Sequence, residues 1–228
     1  MLCTAAGDVM ASDWRGGVAV LRADGGSELI LGREAEGAAP LKPNGIALLA
    51  DGSFLMADLS EARAGVWRLS RSGAVEPFLL EVAGEPLPPT NFVRLDSKAR
   101  VWITVSTRLT PRARDYRPDA STGYVVLVDG AGARIVADGL GYANECALDA
   151  DETHLYLNET FGRRLIRFRI GAAGSLHDRE VVAEFGAGTF PDGLAFDAEG
   201  GIWIVSIVSN RVIRIALDGR QEVILDDG

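Results

Sequence analysis

Four short segments recur along this chain at nearly constant spacing, and that repeat restricts the available folds more than any other feature. They are Pro43-Asn44-Gly45-Ile46-Ala47, Pro89-Thr90-Asn91-Phe92-Val93, Tyr142-Ala143-Asn144-Glu145-Cys146 and Pro191-Asp192-Gly193-Leu194-Ala195. The polar residue steps from Asn44 to Asn91, Asn144 and Asp192 by 47, 53 and 48 positions. After each comes a short apolar strand, a polar turn and a second strand. That strand carries a large side chain at nearly the same offset: Leu55, Trp102, Tyr156 and Trp203. A period of this length marks stacked units that cannot bury their faces alone.

The last repeat shows the whole unit. Residues 194–196 form a short inner strand and residues 197–200 a turn. Residues 201–207, 211–217 and 221–225 follow with the alternation of half-buried strands. Ser209-Asn210 and Asp218-Gly219 supply tight turns. Near the start, residues 8–13, 17–22 and 27–32 read as the second to fourth strands of a first repeat. No segment has helical periodicity.

Four antiparallel strands per unit are the pattern of propeller blades around a channel. The chain is therefore expected to be all-β, a single β-propeller domain with about five blades. They fall near residues 1–38, 43–82, 89–139, 142–187 and 190–228. A β-sandwich is the runner-up, but it does not explain the repeat. Trp67, Trp102, Tyr156 and Trp203 are expected to pack between blades.

Composition narrows function by exclusion. At 228 residues and 47% hydrophobic content the chain can bury a sizeable core. A formal charge of −9 argues against nucleic acid and anionic membrane surfaces as partners. No apolar run approaches the ~20 residues needed to span a bilayer. The first residues lack the basic-then-apolar pattern of a signal peptide. Two cysteines, Cys3 and Cys146, are no disulfide framework. A cytoplasmic location fits these features.

Most catalytic motifs are missing. There is no G-x-S-x-G elbow, C-x-x-C, H-E-x-x-H, P-loop or EF-hand loop. Two histidines, His154 in a strand and His177 in a turn, cannot assemble a triad or a histidine-rich zinc site.

The repeated Asn/Asp position remains. Pro-Asn-Gly and Pro-Asp-Gly are also turn sequences. Three details favour a site instead. Each blade has its hairpin turn about seven residues later. The polar residue persists where its Pro and Gly neighbours do not, at Asn91 and Asn144. It precedes the innermost strand, so Asn44, Asn91, Asn144 and Asp192 are expected to converge on one mouth of the channel. Converging oxygen donors suit one hard divalent cation, Ca²⁺ ahead of Mg²⁺ or Zn²⁺. A long loop, residues 107–122, carries Arg108, Pro111, Arg112, Arg114, Arg117 and Pro118. Loops of this length are often lids. Arg108 within it, and Asn44 at the channel mouth, are substrate-binding candidates.

These residues resemble the family of senescence marker protein (regucalcin), gluconolactonase and luciferin-regenerating enzyme. The resemblance is most specific across residues 190–203, from Phe190 through Pro191-Asp192-Gly193 to Trp203. Asn144 with Leu155-Tyr156-Leu157-Asn158-Glu159-Thr160, and Asn91 with Asp96 and Arg100-Val101-Trp102, add to it. It implies a six-bladed propeller that hydrolyses lactones with one divalent metal. Asn144 and Asp192 match the family's metal ligands, and Asp192 also its catalytic base. Asn91 matches a channel residue that touches substrate or water. Pro89 and Phe92 stand where the family often has Arg and Asp, and the family's first-blade Glu has no counterpart here. Counting back from Gly7 places that position two residues ahead of Met1, so a start lying further upstream is one expectation. The competing functions are a non-catalytic propeller binding calcium or a small molecule, and an inactive truncated product. Self-association through unpaired blade edges is expected.

Overall fold

The computed structural model describes residues 1–33 and 37–227. It is an all-β, five-bladed propeller arrangement, as the repeat implies. Each blade is a four-stranded antiparallel meander. The first comprises Leu2–Cys3, Val9–Asp13, Gly17–Leu21 and Ser27–Leu31. The second comprises Pro43–Leu48, Phe54–Asp58, Gly65–Leu69 and Val75–Leu79. Phe92–Leu95, Val101–Val105, Gly123–Asp129 and Gly132–Leu140 make the third. The fourth runs Ala143–Leu148, His154–Glu159, Arg164–Ile170 and Leu176–Glu184, so His177 lies in a strand rather than a turn. Phe190–Phe196, Ile202–Ile207, Arg211–Ile215 and Gln221–Asp226 complete the fifth. The helical segments among the described residues are two short 3-10 turns, and no helix is long and apolar enough to cross a membrane.

The two-residue period of a strand splits each second strand between two cores. Val101, Ile103 and Val105 pack with Leu55, Ala57 and Val66 of blade two. Trp102, one step out of phase, packs with Leu155, Leu157 and Ile166 of blade four. The pattern repeats one blade on: Tyr156 turns away from Leu155 and Leu157 to join Ile202, Ile204 and Ile213 of blade five. Met10, Val18 and Val20 of blade one meet Phe54 and Met56 of blade two. One apolar cluster thus fills each interface between successive blades. Trp102 is fully buried, whereas Trp203, its counterpart in blade five, is half-buried. Val205 and Ile207, on either side of Ser206 in the same strand, are exposed.

Candidate functional site

The inner strands of blades two, four and five carry the same irregularity. Between the pairs Pro43–Asp58 and Ile46–Met56 the inner strand has one residue more than its partner. The identical offset separates Ala143–Glu159 from Cys146–Leu157, and Pro191–Ser206 from Leu194–Ile204. Each is a β-bulge holding the repeated polar residue and the one after it. A bulge twists its strand locally and re-aims a side chain. Pro-Asn-Gly and Pro-Asp-Gly are therefore strand sequences here, and the polar residue lies inside the inner strand rather than ahead of it. Blade three is the exception: Asn91 stands just before Phe92–Leu95, its amide N–H bonded to Thr104 O at 3.0 Å.

The bulge also lets neighbouring blades approach. Gly45 N–H donates to Asn91 O at 3.0 Å across the blade boundary. A Cβ at Gly45 would stand 2.6 Å from Phe92 Cα, so only glycine fits.

The structure brings the expected row together in pairs. Asn44 Nδ2 donates to Asn91 O at 3.0 Å and to Asn91 Oδ1 at 3.2 Å. Asn91 Nδ2 continues to Ser106 Oγ at 3.0 Å. Asn144 Nδ2 donates to Thr160 Oγ1 at 2.9 Å and also to Asp192 Oδ1. Thr160 Oγ1 in turn donates to Pro191 O at 2.8 Å. The blade-three and blade-four members are linked less directly, by Thr104 Oγ1 donating to Asn144 O at 2.7 Å.

Two residues outside the expected set belong to this constellation. Asn158 Nδ2 donates to Asp192 O at 3.0 Å and to Gly193 O at 3.2 Å. Glu145 Oε2 accepts from Leu194 N–H at 3.0 Å. Each had a signal in the sequence. Asn158 is the amide that directly follows the run Leu155-Tyr156-Leu157, and Glu145 occupies the bulge position that is glycine in blades two and five.

Arg108 is held elsewhere. Its guanidinium pairs with both oxygens of Asp138 at 2.7 and 2.9 Å and lies 4.2 Å from the Tyr124 ring centroid. Its loop is anchored by buried Asp115, which accepts from Thr122 Oγ1 at 2.6 Å. The same loop places Tyr116 flat on Phe161, centroids 4.7 Å apart, and edge-on to Tyr142 at 5.4 Å. Phe161 follows Thr160, and Tyr142 lies two residues before Asn144. The loop thus covers an aromatic cluster next to the Asn144–Asp192 pair.

Burial pushes the Asp192 carboxyl above its ordinary range, with the Asn144 amide opposing in part. Burial also raises Glu145; the Leu194 N–H and the Met1 ammonium oppose that, Asp192 adds to it, and Arg94 opposes it. Tyr142 is raised by burial and by its contact with Tyr116.

The donor set fits a hard cation. The Oδ1 atoms of Asn144 and Asn158 are buried and have no hydrogen-bond partner among the described residues. An orphaned amide oxygen beside a carboxylate is an acceptor pair lacking a positive partner. Among the described residues no three His, Cys, Asp or Glu side chains cluster as a metal site, and Cys146 faces the apolar core between blades three and four. Oxygen donors without thiolate or imidazole favour Ca²⁺ or Mg²⁺ over softer ions.

Comparison with known proteins gives a consistent picture. A family model described as the SMP-30/Gluconolactonase/LRE-like region matches residues 4–226. A gluconolactonase of Xanthomonas campestris has a similar structure, with a TM-score of 0.75 at 22% identity, covering 97% of this chain and 73% of that one. The calcium-binding protein regucalcin of Agrobacterium tumefaciens superposes with a TM-score of 0.71 at 20% identity, over 96% of this chain and 70% of that one. Strictosidine synthase-like 13 of Arabidopsis thaliana is 26% identical over 137 residues, 58% of this chain. The match spans only 33% of that curated relative's length.

Proposed function

Because this chain belongs to the SMP-30/gluconolactonase/LRE-like family, we propose that it is a metal-dependent hydrolase of small lactones. The observation that carries the reading is the Asn144–Asp192 pair. A half-buried carboxylate accepts a hydrogen bond from an amide whose own oxygen is buried and lacks a partner. Asn144 and Asp192 would hold a divalent cation, which supplies Lewis-acid polarisation of an ester carbonyl.

The chain's own residues account for the remaining steps. Asp192 takes a proton from the attacking water and passes it to the departing ring oxygen, so that water adds across the acyl C–O bond and a hydroxy acid leaves. Asn158 fixes the Asp192 main chain from the neighbouring blade. Asn44 and Asn91 form the amide pair that would orient the lactone ring.

The test is hydrolysis of a panel of sugar and alkyl lactones with Ca²⁺, Mg²⁺ or Zn²⁺ added, and again with chelator. Turnover that requires metal is the expected result. Asp192→Asn should keep the fold and lower kcat by about 10²–10⁴. Retention of most activity in that variant would remove Asp192 as the base. Cation binding without turnover of any lactone would favour a non-catalytic calcium-binding or small-molecule-binding propeller.

A further inference from the structure

We propose that Glu145 is a second carboxylate of the cation site, an inference that rests on the cation reading above. Glu145 occupies the extra position of the blade-four bulge. In blades two and five that position is glycine, Gly45 and Gly193, and nothing projects from it. In blade four a carboxylate does, and it crosses the blade boundary. Its Oε2 accepts from Leu194 N–H at 3.0 Å and would lie 3.9 Å from a Cβ built on Gly193. Leu194 is two residues beyond Asp192, and Asn144, adjacent to Glu145, reaches the Asp192 carboxylate.

Two acidic side chains therefore flank Gly193, with an unpartnered and almost fully buried amide oxygen, Asn144 Oδ1, beside them. Among the described residues neither carboxylate has an Arg, Lys or His nitrogen within salt-bridge distance. Glu145 Oε1 accepts no hydrogen bond among the described residues either. The Leu194 contact needs only one oxygen and no charge, so it does not explain a glutamate where two other blades have glycine. The Met1 ammonium and Arg94 act on Glu145 only from beyond ion-pair distance. A partly buried carboxylate pair with no cation in contact is unfavourable, and a hard divalent cation resolves it.

The experiment is calorimetric Ca²⁺ titration of the intact chain, of Glu145→Gln and of Asp192→Asn, with thermal melts of each protein with and without Ca²⁺. Gln keeps an acceptor for Leu194 N–H, so the fold is preserved. Glu145→Gln is expected to weaken Ca²⁺ binding at least about tenfold, as charge count tunes such sites. It should melt no lower than the parent without Ca²⁺, and its calcium-induced rise in Tm should shrink. Glu145→Asp, which keeps the charge, should bind more tightly than Glu145→Gln. Parent-like affinity in Glu145→Gln together with weakened binding in Asp192→Asn would overturn the role of Glu145 and leave the cation reading intact. Failure of the parent chain to bind Ca²⁺, Mg²⁺ or Zn²⁺ would overturn both.

Discussion

Asn158, on the second strand of blade four, donates its side-chain amide to the main-chain carbonyl of Asp192 at 3.0 Å. The residue that carries the carboxylate, at the bulge of its own strand, is thus held from the neighbouring blade as well. Asn158→Ala leaves that carbonyl and the carbonyl of Gly193 without their side-chain donor. We expect a loss of about 1–3 kcal/mol in urea unfolding. We also expect kcat for lactone hydrolysis to fall by more than the fraction unfolded explains. An unchanged kcat in folded Asn158→Ala would show that the bond serves stability alone.

The bulge glycines should differ sharply in tolerance, although their sequences look alike. At Gly45 an added methyl would meet backbone atoms, 2.6 Å from Phe92 Cα and 2.8 Å from Val93 N, which cannot swing aside. At Gly193 the nearest atom is Val205 Cβ at 3.5 Å, an ordinary contact. Gly45→Ala is expected to cost about 2–3 kcal/mol and Gly193→Ala less than about 1 kcal/mol. Chemical denaturation of the two variants measures the difference, and equal costs would contradict the close approach of blades two and three.

Asp96 gives a pH-dependent contribution to stability. Burial pushes its carboxyl up, but bonds from Trp102 Nε1 at 3.0 Å, Arg100 N at 2.9 Å and Arg100 Nε at 2.6 Å outweigh that and hold it below the usual range. A lowered native value means the stabilisation is complete above the unfolded value of about 3.9 and is lost as pH falls through the native value. Asp96→Asn should be less stable than the parent by about 2–3 kcal/mol at pH 7. The gap should narrow below pH 4. Urea midpoints across pH 3–7 test this, and a gap independent of pH would remove the charge from the explanation.

The outer face of blade five should drive association. Val205, Ile207, Val208 and Leu225 are exposed apolar side chains on or beside its strands. Exposed strands with apolar faces pair readily with other copies. Sedimentation of the 228-residue chain is expected to show concentration-dependent association, and Val205→Lys with Ile207→Glu should shift it toward monomer. A parent chain that sediments as a single monomeric species at all concentrations would refute this.

The sequence by itself determined the blades, because their cause is local. A strand announces itself by alternation, and a shared repeat places Trp102, Tyr156 and Trp203 at matching points of successive sheets. It also singled out Asn44, Asn91, Asn144 and Asp192, since a polar residue that recurs while its neighbours change needs a common cause. What those residues touch was decided only by the tertiary structure. The partners that join one blade to the next lie some 34 to 49 positions along the chain, as with Asn158 and Asp192 or Glu145 and Leu194. No local pattern encodes such a contact. Pro-Asn-Gly reads equally as a turn or a bulge, and the choice depends on whether a neighbouring backbone packs against the glycine. The same holds for Arg108, whose contacts with Asp138 and Tyr124, 30 and 16 positions away, were set only by the fold. Periodicity reports which face of a strand is buried; only the packing of one blade on the next determines which polar groups are left facing each other without water.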